Sequence, residues 1–482
     1  MDFHEWSGEP GKPGLVIDLR RAGALDSLID RYAKAQPAVL RQVLTQAYNL
    51  GGQMAVVEYR YLDADYRNEH SRFYSGTFRR YPSVAHRLHF FDVAPPIELQ
   101  DPEKPAKFGP DGYLGFSVMR PVAGGPVGRT MLKPPASLET FVSCRAKGTA
   151  NLFGIDLTAE AAPFIAQDAQ LSVCAHATLW VVAYYHHLKF QSPRLLPGDI
   201  ADAVPSALGF GRPMPSPGLT VNQLTEASRV IGLPSLLYRL RGSGLLPGET
   251  VYSLACRYLN SGMPVIVGGG GHAFTLVGYQ QYFAPDGSKR IRFIRQDDEV
   301  GPYQLVDNAA LDYYSPWEVL IVPLPQKVYL SAEKAEALGI SRIRSTLLGT
   351  GLEEDAQLVA RIDRDEVRFR TTLISSNEFK TGLIGRGMDE ATATIYQRMG
   401  MSRWIWAVEA TDAHERDLGN DCTLAEAVID ATDHSRDLHV LAWRIPKTLY
   451  QWLPYQDSYL AYRKLSHLPM LRCLSRVNQK VV

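Results

Sequence analysis

QDAQLSVCAHATLW, residues 167–180, opens one apolar segment of this chain, and GHAFTLVGY, residues 271–279, opens another. From 175 to 188 there is no Gly or Pro and the chain is apolar nearly all round, as in a buried central helix. Ser172 is the expected N-cap, which puts Val173 and Cys174 in the first turn. The unpaired N–H groups and positive dipole end there favour a thiolate, the form of cysteine that attacks a carbonyl carbon. Cys174 is therefore placed as a nucleophile. Those N–H groups, with a nearby side-chain amide, suit the oxyanion that such an attack creates.

A thiolate needs a partner that takes its proton and later protonates the leaving amine, and His272 is the best-placed candidate. It follows the glycines 268–271 and starts an apolar run, 273–279, that reads as a core strand. A turn, APDG at 284–287, leads to a second strand, 290–296, which ends in Asp297 and Asp298. Such a hairpin returns a carboxylate to the beginning of the first strand, where it can fix the imidazole tautomer and stabilise the imidazolium. Alternation does not choose between the two: Asp297 shares a face with Ile291, Phe293 and Arg295, and Asp298 with Arg292, Ile294 and Gln296. Asp297 is taken as the third member. Asp307 and Asn308 compete from the end of a later stretch.

Cys174 opening a helix, then GHAFTLVGY and a strand ending in an acid, resembles the papain-like cysteine peptidases, most closely the bacteriocin-processing, leader-cleaving peptidase domains. The resemblance covers about residues 151–325, where a helix, SGMP at 261–264, an apolar strand and the histidine follow in that group's order. It implies an α+β fold: a papain-like core, with the catalytic helix packed on an antiparallel sheet, using Cys174, His272 and Asp297 with an upstream Gln for the oxyanion. The family usually has Gly after the cysteine, where this chain has Ala175. Gln167 and Gln170 bracket the usual spacing of the oxyanion residue, and Gln167 is preferred because Gln170 stands close to the cap.

The length, 482 residues, suggests about three domains. We expect an α/β accessory domain over 1–150, the peptidase-like domain over 151–325 and an α+β accessory domain over 326–482. In the first, 25–49 reads as a helix and 55–61 and 112–120 as strands. The loop PVAGGPVG at 121–128 lacks the Lys-Ser/Thr of a phosphate loop and reads as a hairpin turn. The run 59–87 is basic and aromatic and offers a docking face or a solvated one. In the middle domain, 197–217 reads as a loop at the site's mouth, and 220–231 and 249–260 as helices packed on the sheet that carries His272. Beyond a closing strand at 317–325, a short helix is expected at 332–338 and strands at 357–362, 366–373, 404–410 and 439–443.

Lys plus Arg and Asp plus Glu both number 51, which gives no bulk charge for nucleic acid or an anionic membrane. The amino terminus lacks the pattern of a signal peptide and no run is long and apolar enough to span a bilayer, so a cytoplasmic protein, or one delivered without a signal, is expected. The five cysteines are scattered, odd in number and without CxxC pairs, against both a disulfide framework and structural zinc. His186 and His187 are adjacent, so they point to different sides of a helix and do not form a metal pair. Asp412, His414, Glu415, Asp433, His434, Asp437 and His439 read as surface-loop polarity.

Together these readings point to a cysteine peptidase-like hydrolase acting on a protein or peptide substrate through a thioester, with no cofactor and no metal. An acyltransferase or deamidase on the same triad, or a catalytically silent binding module, remains an alternative.

Overall fold

The computed structural model describes residues 14–93, 110–168, 174–204, 219–240, 250–307, 317–418, 423–433, 440–453, 456–463, 465 and 474. The fold is α+β, built from helices and antiparallel sheets. The chain divides into two compact units: Met1–Gly244, Pro264–Gly278 and Phe293–Pro323 make the first, and Leu245–Met263, Tyr279–Arg292 and Leu324–Val482 the second.

The first unit begins with a five-stranded sheet in sequential order: β1 (Gly14–Asp18), β2 (Met54–Tyr61), β3 (Ala85–Phe91), β4 (Tyr113–Met119) and β5 (Val127–Leu132). Period-2 alternation buries both faces of it. Ala55, Val57, Leu88 and Phe90 pack with Leu28, Ile29, Tyr32, Leu40, Val43 and Leu44. Those last six come from two helices, Ala24–Tyr32 and Pro37–Asn49, where one was expected. Pro37 cannot continue a helix and starts the second.

The opposite face carries Met54, Val56, Phe116 and Val118, which share one core with Leu179, Trp180 and Val182 of the helix Cys174–Phe190. A domain boundary near residue 150 is therefore not what forms. Tyr66, Tyr74, Leu152 and Leu157 cover this sheet face as well, and the helix, apolar all round, takes the shared core as one of its walls. Between them in sequence runs a hairpin, β6 (Ala146–Leu152) and β7 (Ile155–Ala161).

A second sheet has six strands, β8 (Ser235–Arg239), β9 (Val265–Gly269), β10 (His272–Phe283), β11 (Lys289–Asp297), β12 (Gly301–Asp307) and β13 (Val319–Pro323), in the order β12-β11-β10-β9-β13-β8. The helix Val221–Val230 has the expected capping box, Thr220 with Gln223. The expected loop at 197–217 begins instead as a short helix, Pro197–Ala203, and 205–217 lie outside the described residues. The helix Val251–Asn260 falls in the second unit, where Asn260 accepts the hydroxyl of Tyr279 from β10, the strand that His272 begins.

The second unit is built on an antiparallel meander of β14 (Val367–Ser375), β15 (Trp404–Asp412), β16 (Thr423–Asp430), β17 (Val440–Ile445), β18 (Thr448–Leu453) and β19 (Ser458–Arg463). The helix expected at 332–338 runs on to Gly349. The strand expected at 357–362 is part of a helix, Glu353–Asp363, which buries Asp355, Leu358 and Val359. That i, i+3, i+4 spacing with three acids in the first turn is a helix signal that outweighs the short alternation. No helix among the described residues is long and apolar enough to cross a membrane.

Candidate active site

His272 owes its place to glycine. Gly269 pairs with His272 across β9 and β10, so only Gly270 and Gly271 form the turn, with φ of 61° and 80°. A two-residue turn with both central residues at positive φ matches the twist of a hairpin, and glycine adopts it without strain. The histidine is thereby fixed as the first residue of a core strand, its side chain 25 % exposed.

The return strand β11 brings Asp297 to it. His272 Nε2 lies 3.1 Å from Asp297 Oδ1, which leaves Nδ1 for other partners. Asp297 is itself held: Arg295 Nη1 lies 2.8 Å from its Oδ2, and the Glu299 N–H donates to Oδ1 at 3.1 Å. Arg295 also lies over the Phe274 ring, 4.9 Å from its centroid. Burial pushes the Asp297 carboxyl up, but the His272 hydrogen bond and the Arg295 charge hold it below the usual carboxylate range. Hydrogen bonding of the charged ring to Asp297, then to Cys174, pushes the His272 imidazole up to about 10 against its burial. Glu299 Oε1, on an exposed side chain, lies 3.9 Å from Nδ1.

Cys174 is the first residue of its helix and is half-buried, with a free thiol. One turn on, Thr178 Oγ1 donates to Ala273 O at 3.1 Å, which ties this helix to the strand beside His272. Cys144 is in no disulfide and is fully buried, while burial pushes the Cys256 thiol well up. His176 and His186 are buried in the same helix, and burial pushes them down to about 4 and about 3, so both are neutral core histidines near neutral pH. His187 Nδ1 lies 2.7 Å from Ser192 O.

Gln167 lies in a segment pinned to β5. Phe164 exchanges backbone hydrogen bonds with Thr130, and the Ala166 N–H donates to Val127 O. Arg120, buried and bonded through Nη1 to Glu69, donates through Nη2 to Ala166 O at 2.8 Å. Next to Gln167, Asp168 accepts the Tyr74 hydroxyl at 2.6 Å. The loop 121–128 has a structural task here: a Cβ on Gly125 would stand 1.9 Å from Gln167 O, so only glycine lets that loop close on the segment. The expected cap Ser172 and the alternative Gln170 lie outside the described residues, as do Cys422 and Cys473.

Cys174, His272 and Asp297 are thus brought together. Asp298 lies beyond the strand end, buried beside them, while Asp307 ends β12 and Asn308 lies outside the described residues. Sequence reasoning missed Arg295, Thr178 and the Tyr74–Asp168 anchor. Arg295 was readable as the i−2 neighbour on the face of Asp297. Thr178, a hydroxyl in an apolar turn one turn after the cysteine, was a weaker signal; Tyr74 had none, because its partner is fixed only by the fold. Asp412 of the C-terminal polar cluster caps the helix Ala413–Asp417 and pairs with Arg361, whereas His434, Asp437 and His439 lie outside the described residues. No protein-family model matches this chain, and no curated protein matches it.

Proposed function

We propose that this protein is a cysteine peptidase-like hydrolase that cleaves a peptide, isopeptide or other amide bond of a protein substrate. The observation that carries the reading is the imidazole of His272, on the strand to which Thr178 ties the helix that Cys174 begins, held through Nε2 by Asp297. Cys174 Sγ adds to the carbonyl carbon, its proton having passed to His272. The oxyanion takes hydrogen bonds from the Cys174 N–H and the Gln167 side chain. Collapse expels the amine, which takes the proton from His272 and leaves a thioester on Cys174. Water, giving a proton to His272, then attacks the thioester and releases the acid. Asp297 keeps the ring oriented and the imidazolium stable throughout.

Intact-mass spectrometry with a peptide vinyl sulfone on wild type and Cys174→Ala tests this. A single adduct on the wild type that is lost in the variant is expected. A folded wild type that a panel of such electrophiles leaves unmodified would sink the hydrolase reading.

A further inference from the structure

Six acidic side chains are buried among the described residues of the first unit. Five are matched. Asp63 pairs with Arg129, Asp65 with Arg194 and Glu69 with Arg120. Asp168 accepts from Tyr74, and Asp297 holds His272 and Arg295. Asp298 is the sixth, 6 % exposed, and neither of its carboxylate oxygens has a hydrogen-bond partner. A buried carboxyl in that condition points to something it is built to meet, an ion among the candidates. Its ligand atom and those of His272 and Asp297 all lie within 4.8 Å of one another.

We propose that His272, Asp297 and Asp298 form a Zn²⁺ site whose filling draws the imidazole away from Cys174. The effect on Cys174 rests on the nucleophile proposed above; the site itself does not. One imidazole and two carboxylates are donors that Zn²⁺ takes at about 2.0–2.2 Å, which sets tetrahedral ligand atoms about 3.4 Å apart. The three groups close by side-chain rotation, and the solvent-facing part of His272 leaves room for water as the fourth ligand. Two carboxylates balance the two charges of the metal. Arg295 and the Glu299 N–H, already on Asp297, orient that ligand as outer-shell partners do, although the Arg295 charge also opposes the cation. The metal takes the place of the proton between Nε2 and Asp297, and that proton, together with any on the Asp298 carboxyl, leaves to solvent with no change of oxidation state. Closing on the carboxylates moves the ring from the sulfur.

The experiment titrates Zn²⁺ by calorimetry into chelator-treated, full-length Cys174→Ala protein, so that the thiol takes no part. One equivalent is expected to bind. Asp298→Asn and, separately, His272→Ala in the same background should weaken binding at least about tenfold, each variant checked for folding by circular dichroism. Mg²⁺, which keeps its waters and prefers octahedral oxygen sites, should not compete. In protein that retains Cys174, Zn²⁺ should slow iodoacetamide labelling of that residue several-fold relative to the same protein in chelator, and Asp298→Asn should remove that difference. Failure to bind one equivalent, or equal affinity in both variants, overturns the site. Stoichiometric binding that leaves Cys174 labelling unchanged overturns the withdrawal of the imidazole. A Cys174 that no electrophile modifies even in chelator strikes the hydrolase reading alone.

Discussion

Two six-stranded sheets of this molecule both bury carboxylates, and they use them in opposite ways. In the C-terminal meander the acids stand mid-strand and in register: Arg370 faces Glu409, Glu409 faces Glu426 and Glu426 faces Arg444, a row across four strands with every member essentially inaccessible. Arg386 covers the row, with Nη2 2.5 Å from Glu409 Oε1 and 3.5 Å from Glu426 Oε2, and Tyr396 donates to Glu426 at 2.7 Å. In the His272 sheet the acids stand at a strand end, where one grips a partly exposed imidazole and its neighbour has no partner. A charge in the middle of a strand is enclosed by its own sheet and can only be structural. At a strand end the same chemistry opens to the loops, and there the His272 side chain is partly exposed.

If that contrast holds, removing the strand-end groups harms chemistry far more than it harms the fold. The largest effect is expected for His272→Ala, a loss of about 10⁴–10⁶-fold in kcat read from turnover, with thermal melts losing only the stability that the imidazolium and Asp297 contribute below about pH 10. Asp297→Asn comes next, at about 10³–10⁴-fold. It also changes the pH profile. The imidazolium is held up to about 10 in the wild type, so the alkaline limb of kcat/KM should lie near that pH and move down toward neutrality in the variant. In stability the sign is that of a raised histidine: the contribution is complete below the unfolded value near 6.5 and is lost as pH rises through about 10. An unmoved limb would mean that Asp297 does not set the state of the ring.

Mid-strand substitution should do the reverse. Glu409→Ala leaves the Arg386 charge buried without its closest carboxylate, and a cost of about 3–5 kcal/mol in denaturant unfolding of the second unit is expected. Burial raises the Glu409 carboxyl above the usual carboxylate range and the Arg386 and Arg370 charges oppose that rise only in part, so the row depends on its arginines. A neutral Glu409→Ala would show that the row is dispensable and would remove the contrast.

The legible parts of the sequence were those whose chemistry is local. The glycines before His272, the turn at 284–287 and the acid that ends β11 place the His272–Asp297 pair through hairpin geometry alone. The helix after Cys174 was equally plain, since it carries no breaker from 174 to 190. What sequence hid is tertiary. Nothing in 1–150 announces that Met54, Val56, Phe116 and Val118 wall the Cys174 helix, or that Tyr74 and Gly125 hold the segment of Gln167. A strand buried on both faces reads the same whether its second face is covered by its own domain or by a helix far along the chain. The papain-like resemblance suggested a core that could stand from 151 onward, whereas packing joins the Cys174 helix to the sheet before it.

Asp298 gives the smallest effect and the sharpest form of the comparison, because it is a buried acid that neither supports the fold nor touches a partner. In chelator-treated protein its burial pushes the carboxyl up to about 7, with the nearby His272 charge opposing. A raised acid makes no difference to stability below the unfolded value near 3.9 and costs progressively more until the pH passes the folded one. Asp298→Asn keeps the shape and removes the charge. It should therefore match the wild type near pH 4 and exceed it by about 1–3 kcal/mol above pH 7, measured by urea unfolding across that range. Equal stability at both pH values would mean that water or a donor reaches the carboxylate, and Asp298 would then join the matched acids of its sheet. A gain that appears only at high pH would mark a charge kept at a cost, which the fold alone does not explain.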